Sequence, residues 1–125
     1  MTNSPQILNV DHAQLSVPVG EEKKARDFYC GVLGLKEVPK PEALAGRGGF
    51  WLELGQFQVH IGTEEFSGRA DTKAHIAYEV TALDGWKDKL AQAGIAITIA
   101  IQIPQYRRFE FRDPFGNRVE FLERI

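Results

Sequence analysis

The pattern of apolar and polar residues changes period several times along the chain. Apolar and polar positions alternate from Asp11 to Val17, which predicts a half-buried strand because successive side chains of a strand point to opposite faces. The stretch EEKKARDFYCGVLG then has apolar residues at helical spacing and ends on Gly34, a typical helix stop. A short extended piece, LKEV, a loop rich in proline and glycine, and the strands FWLEL and FQVHI around a Gly-Gln turn complete this half.

The same order of patterns returns in the second half. KAHIAYEV alternates again, and T-A-L-D from Thr81 resembles a capping box that begins a helix ending at Gly94. IAITIAIQI predicts one strand or two, and YRRFEFRDPFGNRVEFLE predicts a hairpin because Asp-Pro and Gly-Asn interrupt two alternating runs. We therefore predict an α+β fold of two tandem βαβββ modules, a first module at about residues 7–63 and a second at about 72–124. Each unit of roughly 55 residues is marginal alone, so residues 1–125 form a single domain.

The period of two also sorts the polar side chains by face. One face of each strand is apolar and packs on the helices, and the other carries the chain's only three histidines and a glutamate at repeated places. His60 follows His12 by 48 residues, and Glu120 follows His75 by 45. By the same count this face also holds Trp51, Glu53, Gln58, Arg108 and Glu110.

This residue set suits metal chemistry. Neutral imidazole and carboxylate groups bind Zn, Ni, Fe, Mn and Co, and three or four such ligands leave a position for water or substrate. We predict that His12, His60, His75 and Glu120 hold a divalent metal ion, and that Glu120 is also catalytic because a ligand carboxylate can take up a proton. A lone histidine on a strand is more often hydrogen-bonded or partly exposed than a ligand; here all three histidines fall into one repeated pattern.

Composition and charge exclude several classes of protein. The 125 residues carry a net charge of −2, so no basic field attracts nucleic acid or an anionic membrane. Cys30 is the only cysteine, which excludes an intrachain disulfide and a CxxC knuckle. No apolar run approaches a membrane span of about 20 residues, and the start, MTNSPQ, lacks the apolar core of a signal peptide. We expect a cytoplasmic protein.

The segments DHAQLSVP, FYCGVLGL, KAHIAYEV and FRDPFGNRVEFLE resemble the glyoxalase/bleomycin-resistance/extradiol-dioxygenase superfamily, also called vicinal oxygen chelate proteins. The resemblance implies curved mixed sheets around a central cavity, a small-molecule substrate, and a homodimer with a site near the subunit interface. His12 matches the first-strand ligand of the family, His75 the ligand that opens the second module, and Glu120 the final carboxylate. His60 occupies a slot that is glutamate in glyoxalase I.

The resemblance implies a metal-dependent enzyme that catalyses a lyase, isomerase or dioxygenase-type step while the metal chelates substrate oxygens. Trp51 would wall an aromatic pocket, and Arg108 would hold a carboxylate or phosphate. Histidine at position 60 leaves Glu120 to move protons alone or with help from Glu53 or Glu110. The alternative is a non-enzymatic, drug-binding resistance protein of the bleomycin-resistance type, and a weaker one is a vestigial site. The glycine-rich loop at 43–49 is read as a flap beside the site or as an ordinary surface loop.

Overall fold

The computed structural model describes residues 4–125 and contains two four-stranded mixed sheets. The strands are β1 (His12–Val17), β2 (Lys36–Val38), β3 (Phe50–Leu54), β4 (Phe57–Thr63), β5 (His75–Glu79), β6 (Ile97–Ile99), β7 (Tyr106–Arg112) and β8 (Arg118–Arg124). The first sheet has the order β1-β4-β3-β2 and the second the matching order β5-β8-β7-β6. In each sheet the first pair, β1 with β4 or β5 with β8, is parallel and the other pairs are antiparallel. The predicted α+β class with two curved, unclosed sheets is confirmed.

The first helix begins as predicted and then changes its winding. α1 spans Glu22–Arg26 and continues without a break as a π-helix over Asp27–Val32. Its apolar side, with Ala25, Phe28 and Tyr29, is buried. Gly34 follows with a φ of 79°, a left-handed conformation that glycine adopts without strain, so the helical stretch ends where the sequence predicted.

The second helix, α2, spans Leu83–Gln92, but its start is not the predicted capping box. Ala82 precedes the helix with a φ of 54°, and no side chain of the cap residue bonds the first turn. Glu123 of β8 does so instead, because its carboxylate accepts hydrogen bonds from the backbone nitrogens of Ala82 (2.9 Å) and Leu83 (3.3 Å). The expectation for Thr81 is therefore wrong: an acidic side chain about forty residues away satisfies these donors. Within residues 4–125, no helix has the length and apolar character needed to cross a membrane.

Two connecting stretches also differ from the sequence pattern. Of the apolar run at 95–103, only Ile97–Ile99 forms a strand, so one short strand is present rather than two. The proline- and glycine-rich loop contains a 3-10 helix at Glu42–Arg47. Both stretches border the polar faces described below.

A buried hydrogen-bond network joins the two modules through the turn of the second hairpin. Asp113 is buried, and its carboxylate accepts bonds from the Tyr29 hydroxyl (2.6 Å) and from the backbone nitrogens of Phe115 (2.9 Å) and Asn117 (2.8 Å). The Asn117 amide donates both to Asp113 (2.8 Å) and to the Ser16 carbonyl oxygen (2.9 Å). Since Ser16 and Tyr29 belong to the first module, the D-P-F-G-N turn fixes how the two modules meet.

Candidate functional site

The first-module site is a stack of three rings across neighbouring strands. Register places His60 of β4 opposite Trp51 of β3, and His12 of β1 opposite Gln58. The His60 ring lies 3.9 Å from the Trp51 ring and 4.0 Å from the His12 ring, with interplanar angles of 4° and 16°. These residues share one sheet face, as the period of two requires.

Hydrogen bonds and burial set the state of the rings in this stack. His60 is buried, and its Nε2 lies 2.8 Å from Oε1 of Gln58. Burial lowers the pKa of His60 from its ordinary value, and the neighbouring His12 lowers that pKa further. His12 lies nearer the surface, with Nδ1 2.9 Å from the carboxylate of Asp11. A neutral His60 ring keeps a nitrogen lone pair, which a metal ligand requires.

A cavity of about 490 Å³ opens beside this stack, and the stretch predicted as a flap forms one of its walls. Lys40, Leu44 and Arg47 line it together with Trp51 and His60. Gly49 has a φ of 74° and lies so close to the backbone of β4 that a Cβ atom there would collide with the Ile61 carbonyl oxygen. Glycine therefore lets the 3-10 segment fold close against β4. The cationic residues of this wall were missed because a loop has no period to show where side chains point.

The second-module site is charged. His75 Nδ1 lies 2.9 Å from the Lys73 carbonyl oxygen, and its Nε2 lies 3.0 Å from the Glu120 carboxylate. Glu120 also contacts Arg108, whose Nη1 lies 3.2 Å from its second carboxylate oxygen. Glu110 faces Glu120 across the β7–β8 pair.

Two arginines neutralise the two carboxylates of this second-module site. Arg108 pairs with Glu120, and its Nε donates to the Ile101 carbonyl oxygen at 2.8 Å. Arg118 forms a close two-pronged contact with Glu110. Arg118 was not among the residues predicted for the site, although it precedes Glu120 by two residues in β8 and therefore shares its face.

The donor set of the second module fits a divalent metal. Among residues 4–125, His75, Glu110 and Glu120 are the only group of three or more histidine, cysteine or acidic residues whose ligand atoms all lie within 4.8 Å of one another. Imidazole nitrogen and carboxylate oxygens are donors that Zn, Mn, Fe, Co and Ni accept. His12 and His60 are not part of this group, so one chain brings the predicted ligands together as two pairs rather than around one point.

A cavity of about 510 Å³ separates β1 from β5. Gln14, Ser16, His75 and Arg118 line it, together with Arg69 from the connection between the modules. Arg69 is buried, and its guanidinium donates to the carbonyl and hydroxyl oxygens of Ser16 (2.9 and 3.0 Å) and to further backbone carbonyl oxygens of its own connection. The inter-module connection is thereby tied to β1.

Comparisons with known proteins agree with this architecture. Residues 9–121 match the sequence model of the Glyoxalase/Bleomycin resistance protein/Dioxygenase superfamily. A solved structure described as a putative glyoxalase family protein from Bacillus anthracis is 41% identical, with a TM-score of 0.88 over 98% of this chain and 99% of that one. A lactoylglutathione lyase from Agrobacterium tumefaciens (21% identity, TM-score 0.72, 94% and 95% covered) shares the fold. So does an antibiotic-binding protein from a Streptomyces species (20% identity, TM-score 0.72, 98% and 100% covered).

No curated protein matches the chain. The match to the family model covers most of the sequence, and it includes all four residues predicted to bind metal, from His12 to Glu120. The resemblance noted from the sequence motifs is therefore confirmed at the level of the family. This chain belongs to the Glyoxalase/Bleomycin resistance protein/Dioxygenase superfamily.

Proposed function

We propose that this chain is a metal-dependent enzyme that acts on a small molecule with neighbouring oxygen atoms, in a lyase, isomerase or dioxygenase-type step. The observation that carries the proposal is the convergence of ligand atoms from His75, Glu110 and Glu120 within 4.8 Å. His12 and His60 occupy the equivalent strands of the first module, with His60 buried and its pKa lowered. The proposed ligands remain His12, His60, His75 and Glu120.

We further propose that two chains form a homodimer in which the His12 and His60 pair of one chain faces the His75 and Glu120 pair of the other. The support is that each pair is assembled within its own sheet, whereas the four do not meet in one chain. A two-fold axis would create two such sites per dimer.

The roles of the chain's own residues follow from their positions. A divalent metal, when bound, polarises a substrate oxygen. Glu120 moves a proton, and Glu110 is the better placed of the two helpers because it faces Glu120, whereas Glu53 is exposed and lies opposite Gln58. Trp51 offers a ring face to a flat part of the substrate.

Arg108 is proposed to bind the substrate. Its guanidinium lies at 3.2 Å from Glu120, so it sits at the edge of the proposed metal position. Its planar donors suit a substrate carboxylate or phosphate, which they bind in a forked geometry. We assign Arg108 to substrate binding, as the sequence predicted.

The first experiment measures metal content. Chelator-stripped protein is reloaded with Zn, Ni, Mn, Co or Fe(II), dialysed, and assayed for bound metal per chain. We expect about one ion per chain in a two-fold dimer, and a loss of binding in His75→Ala and Glu120→Gln. Glu53→Gln is the matched control, since Glu53 shares the sheet face but is exposed and lies outside the cluster. A wild-type protein that takes up no metal at micromolar concentration contradicts the proposal.

A mixing experiment tests the shared site. One double variant carries His12→Ala and His60→Ala, and the other His75→Ala and Glu120→Gln. If each site needs two chains, both variants are empty alone, and a refolded mixture recovers about a quarter of the wild-type sites because half of its dimers carry one intact site. Full binding by the first variant alone would instead place the site within the second module.

A drug-binding protein without catalysis is the second candidate. It is favoured by the stack of aromatic rings beside a cavity of about 490 Å³, and by the two arginines that already balance Glu110 and Glu120. Chelated protein would then still bind flat aromatic ligands with quenching of tryptophan fluorescence. Trp51→Leu would abolish that quenching, whereas Trp86→Phe, in the apolar packing against Phe121, would leave it intact. Loss of ligand binding on chelation would exclude this candidate.

A further inference from the structure

The cavity of about 510 Å³ between β1 and β5, which we call the inter-module cavity, has both charged and apolar lining residues. β1 and β5 are outer strands of their sheets and do not pair with each other, so the gap between them exposes side chains from both strand faces. Ser16, Arg69 and Arg118 line its polar part, whereas Leu15 and Ile76 line its apolar part. A ligand that fills this cavity therefore needs a polar end and an apolar body.

Arg69 brings a buried positive charge to this cavity. It is only 5% exposed, and its four hydrogen bonds go to backbone carbonyl oxygens and to the Ser16 hydroxyl. No ion pair among residues 4–125 includes Arg69, whereas Arg118 in the same lining pairs with Glu110. Glu64 also lines the cavity, but its side chain is exposed and does not pair with Arg69. Because burying a charge without an opposite charge is costly, an anion in this cavity would be stabilised.

The polar part of the lining also has hydrogen-bond donors in reserve. A guanidinium carries five N–H donors, and the four bonds of Arg69 leave one N–H on its Nη1. Arg118 contacts Glu110 through Nε and Nη2, so its Nη1 makes no bond among residues 4–125. The Ser16 hydroxyl accepts a bond from Arg69 and can donate its own proton. A carboxylate accepts bonds from all of these donors and supplies the negative charge that Arg69 lacks.

The apolar part of the lining is suited to a hydrocarbon or aromatic body. Leu15, Ile76 and Val119 contribute aliphatic side chains, and Phe66 contributes a ring that is half exposed. The Arg69 guanidinium lies 5.6 Å from the centroid of that ring, so the charged and apolar parts of the lining adjoin. The volume lies within the range of about 300–1,000 Å³ that is usual for small-molecule sites.

We infer that the inter-module cavity binds a small organic carboxylate, with the carboxylate group held by Arg69 and the apolar body against Leu15, Ile76 and Phe66. The inference uses residues of one chain and no metal ion, so it goes beyond the proposed function. His75 lines the same cavity, which places the bound carboxylate beside the second-module site.

Calorimetric titration of chelator-stripped protein tests the site with defined probes. Benzoate and 2-naphthoate have a carboxylate and a flat apolar body, benzamide has the same body as benzoate without the charge, and acetate has the charge without the body. At constant ionic strength we expect saturable binding of benzoate or 2-naphthoate, and binding of benzamide and acetate that is weaker by about tenfold or more. If neither aromatic carboxylate binds saturably, or if benzamide binds as tightly as benzoate, the inference is wrong.

Matched variants locate the bound carboxylate. Arg69→Gln should weaken binding of the aromatic carboxylates by about tenfold or more, whereas Arg47→Gln removes the same charge from the cavity beside the ring stack and should leave their binding unchanged. Loss of binding in Arg47→Gln alone would place the carboxylate in that other cavity and overturn the inference.

A second variant keeps every bond of Arg69 and therefore serves even if Arg69→Gln does not fold, as judged by circular dichroism. Ala74 is exposed and lines the inter-module cavity, so Ala74→Glu supplies a carboxylate of the chain's own and should weaken binding of the probes by a similar factor. Ala45→Glu, at an exposed position outside the cavity, makes the same change in charge and should have no effect. Equal binding by wild type, Ala74→Glu and Ala45→Glu would contradict the inference.

The outcomes also separate a ligand site from a purely structural role of Arg69, and this inference from the proposed function. If Arg69 only ties the connection to β1, Arg69→Gln lowers the melting temperature, but benzoate and 2-naphthoate do not raise that of the wild-type protein. Carboxylate binding by a protein that takes up no metal supports the inference and contradicts the metal proposal. Metal uptake by a protein that binds no carboxylate does the reverse.

Discussion

The two modules keep the same strand register and differ in what that register presents. His12 and His75 stand at equivalent places on the first strand of each module, opposite Gln58 and Arg118 respectively. On the next strands, the opposed pair Trp51 and His60 in the first module corresponds to the opposed pair Glu110 and Glu120 in the second. The first site is thus a stack of aromatic rings, whereas the second is a cluster of ion pairs.

The difference shows how two copies of one fold present different side-chain chemistry at equivalent positions. Backbone geometry is shared, so each module offers ligand positions in the same arrangement. Side-chain chemistry then distinguishes a module that stacks rings from a module that holds paired charges. Neither module alone contains all four predicted metal ligands, so a site that uses all four needs residues from both modules.

The largest expected effect comes from removing Asp113, whose hydrogen bonds join the two modules. Asp113→Ala should lower the free energy of unfolding by about 3 kcal/mol or more, because it leaves the buried Tyr29 hydroxyl and several other donors without a partner. Denaturant unfolding of two single-tryptophan variants, Trp86→Phe, which keeps Trp51 of the first module, and Trp51→Phe, which keeps Trp86 of the second, reports on the two modules separately. Coincident transitions are expected in the wild-type protein at fixed chain concentration.

The control for Asp113→Ala is Asp84→Ala. Asp84 is exposed and pairs with Arg107 at 2.7 Å, so its removal should change stability far less. If Asp113→Ala is no more harmful than this control, the D-P-F-G-N turn does not join the modules, and they should be compared as independent units.

The next largest expected effect is on metal binding by the second-module site. Arg118→Met should raise metal affinity about tenfold, because it removes a positive charge, now paired with Glu110, from beside the proposed metal position. Titration of chelator-stripped protein with Zn or Mn measures it. Arg112→Met is the matched control, since Arg112 is exposed and its guanidinium donates to the Gly116 carbonyl oxygen (3.1 Å) rather than to Glu110. Unchanged affinity in Arg118→Met would mean that the charge of this arginine does not oppose metal binding.

The alternation of apolar and polar residues predicted which residues share the polar faces of the two sheets. Because strand side chains alternate, the sequence placed His12, His60, His75 and Glu120 on polar faces, and the structure has Trp51 and Glu110 on those faces as well. The repeated order of strands and helices was also visible, since each element has its own period. These features depend on neighbours within a few residues.

Features that depend on distant residues were not visible. The α2 start is capped by Glu123, a contact that no local motif at Thr81 could indicate. The Tyr29–Asp113 bond joins residues 84 positions apart. Whether four ligands meet at one point depends on how two sheets are placed relative to each other, and alternation within a strand says nothing about that placement.

A smaller effect is expected from the ring stack of the first module. Trp51→Leu should lower the free energy of unfolding by about 1 kcal/mol, because the ring face that covers His60 at 3.9 Å is lost. Trp51→Phe keeps a ring and should recover most of that loss. Chemical denaturation followed by Trp86 fluorescence measures both. If leucine and phenylalanine are equivalent at this position, apolar burial rather than ring stacking holds the first-module site.

The smallest effect is a pH dependence confined to His60. Burial lowers its pKa below the ordinary 6.5, and His12 on the opposite ring face lowers that pKa further, while the carboxylate of Asp11 opposes the shift. In metal-free protein the unfolded chain therefore binds a proton at a higher pH than the folded chain does. The stability that neutral His60 contributes is complete above the unfolded pKa and is lost as pH falls from there through the folded pKa. His60→Gln should flatten this part of the stability curve, and ring-proton NMR of three histidines should show His60 titrating below 6.5. A His60 that titrates at or above its ordinary value would mean that water reaches the stack, and the contrast between a buried ring stack and a cluster of ion pairs would then be wrong.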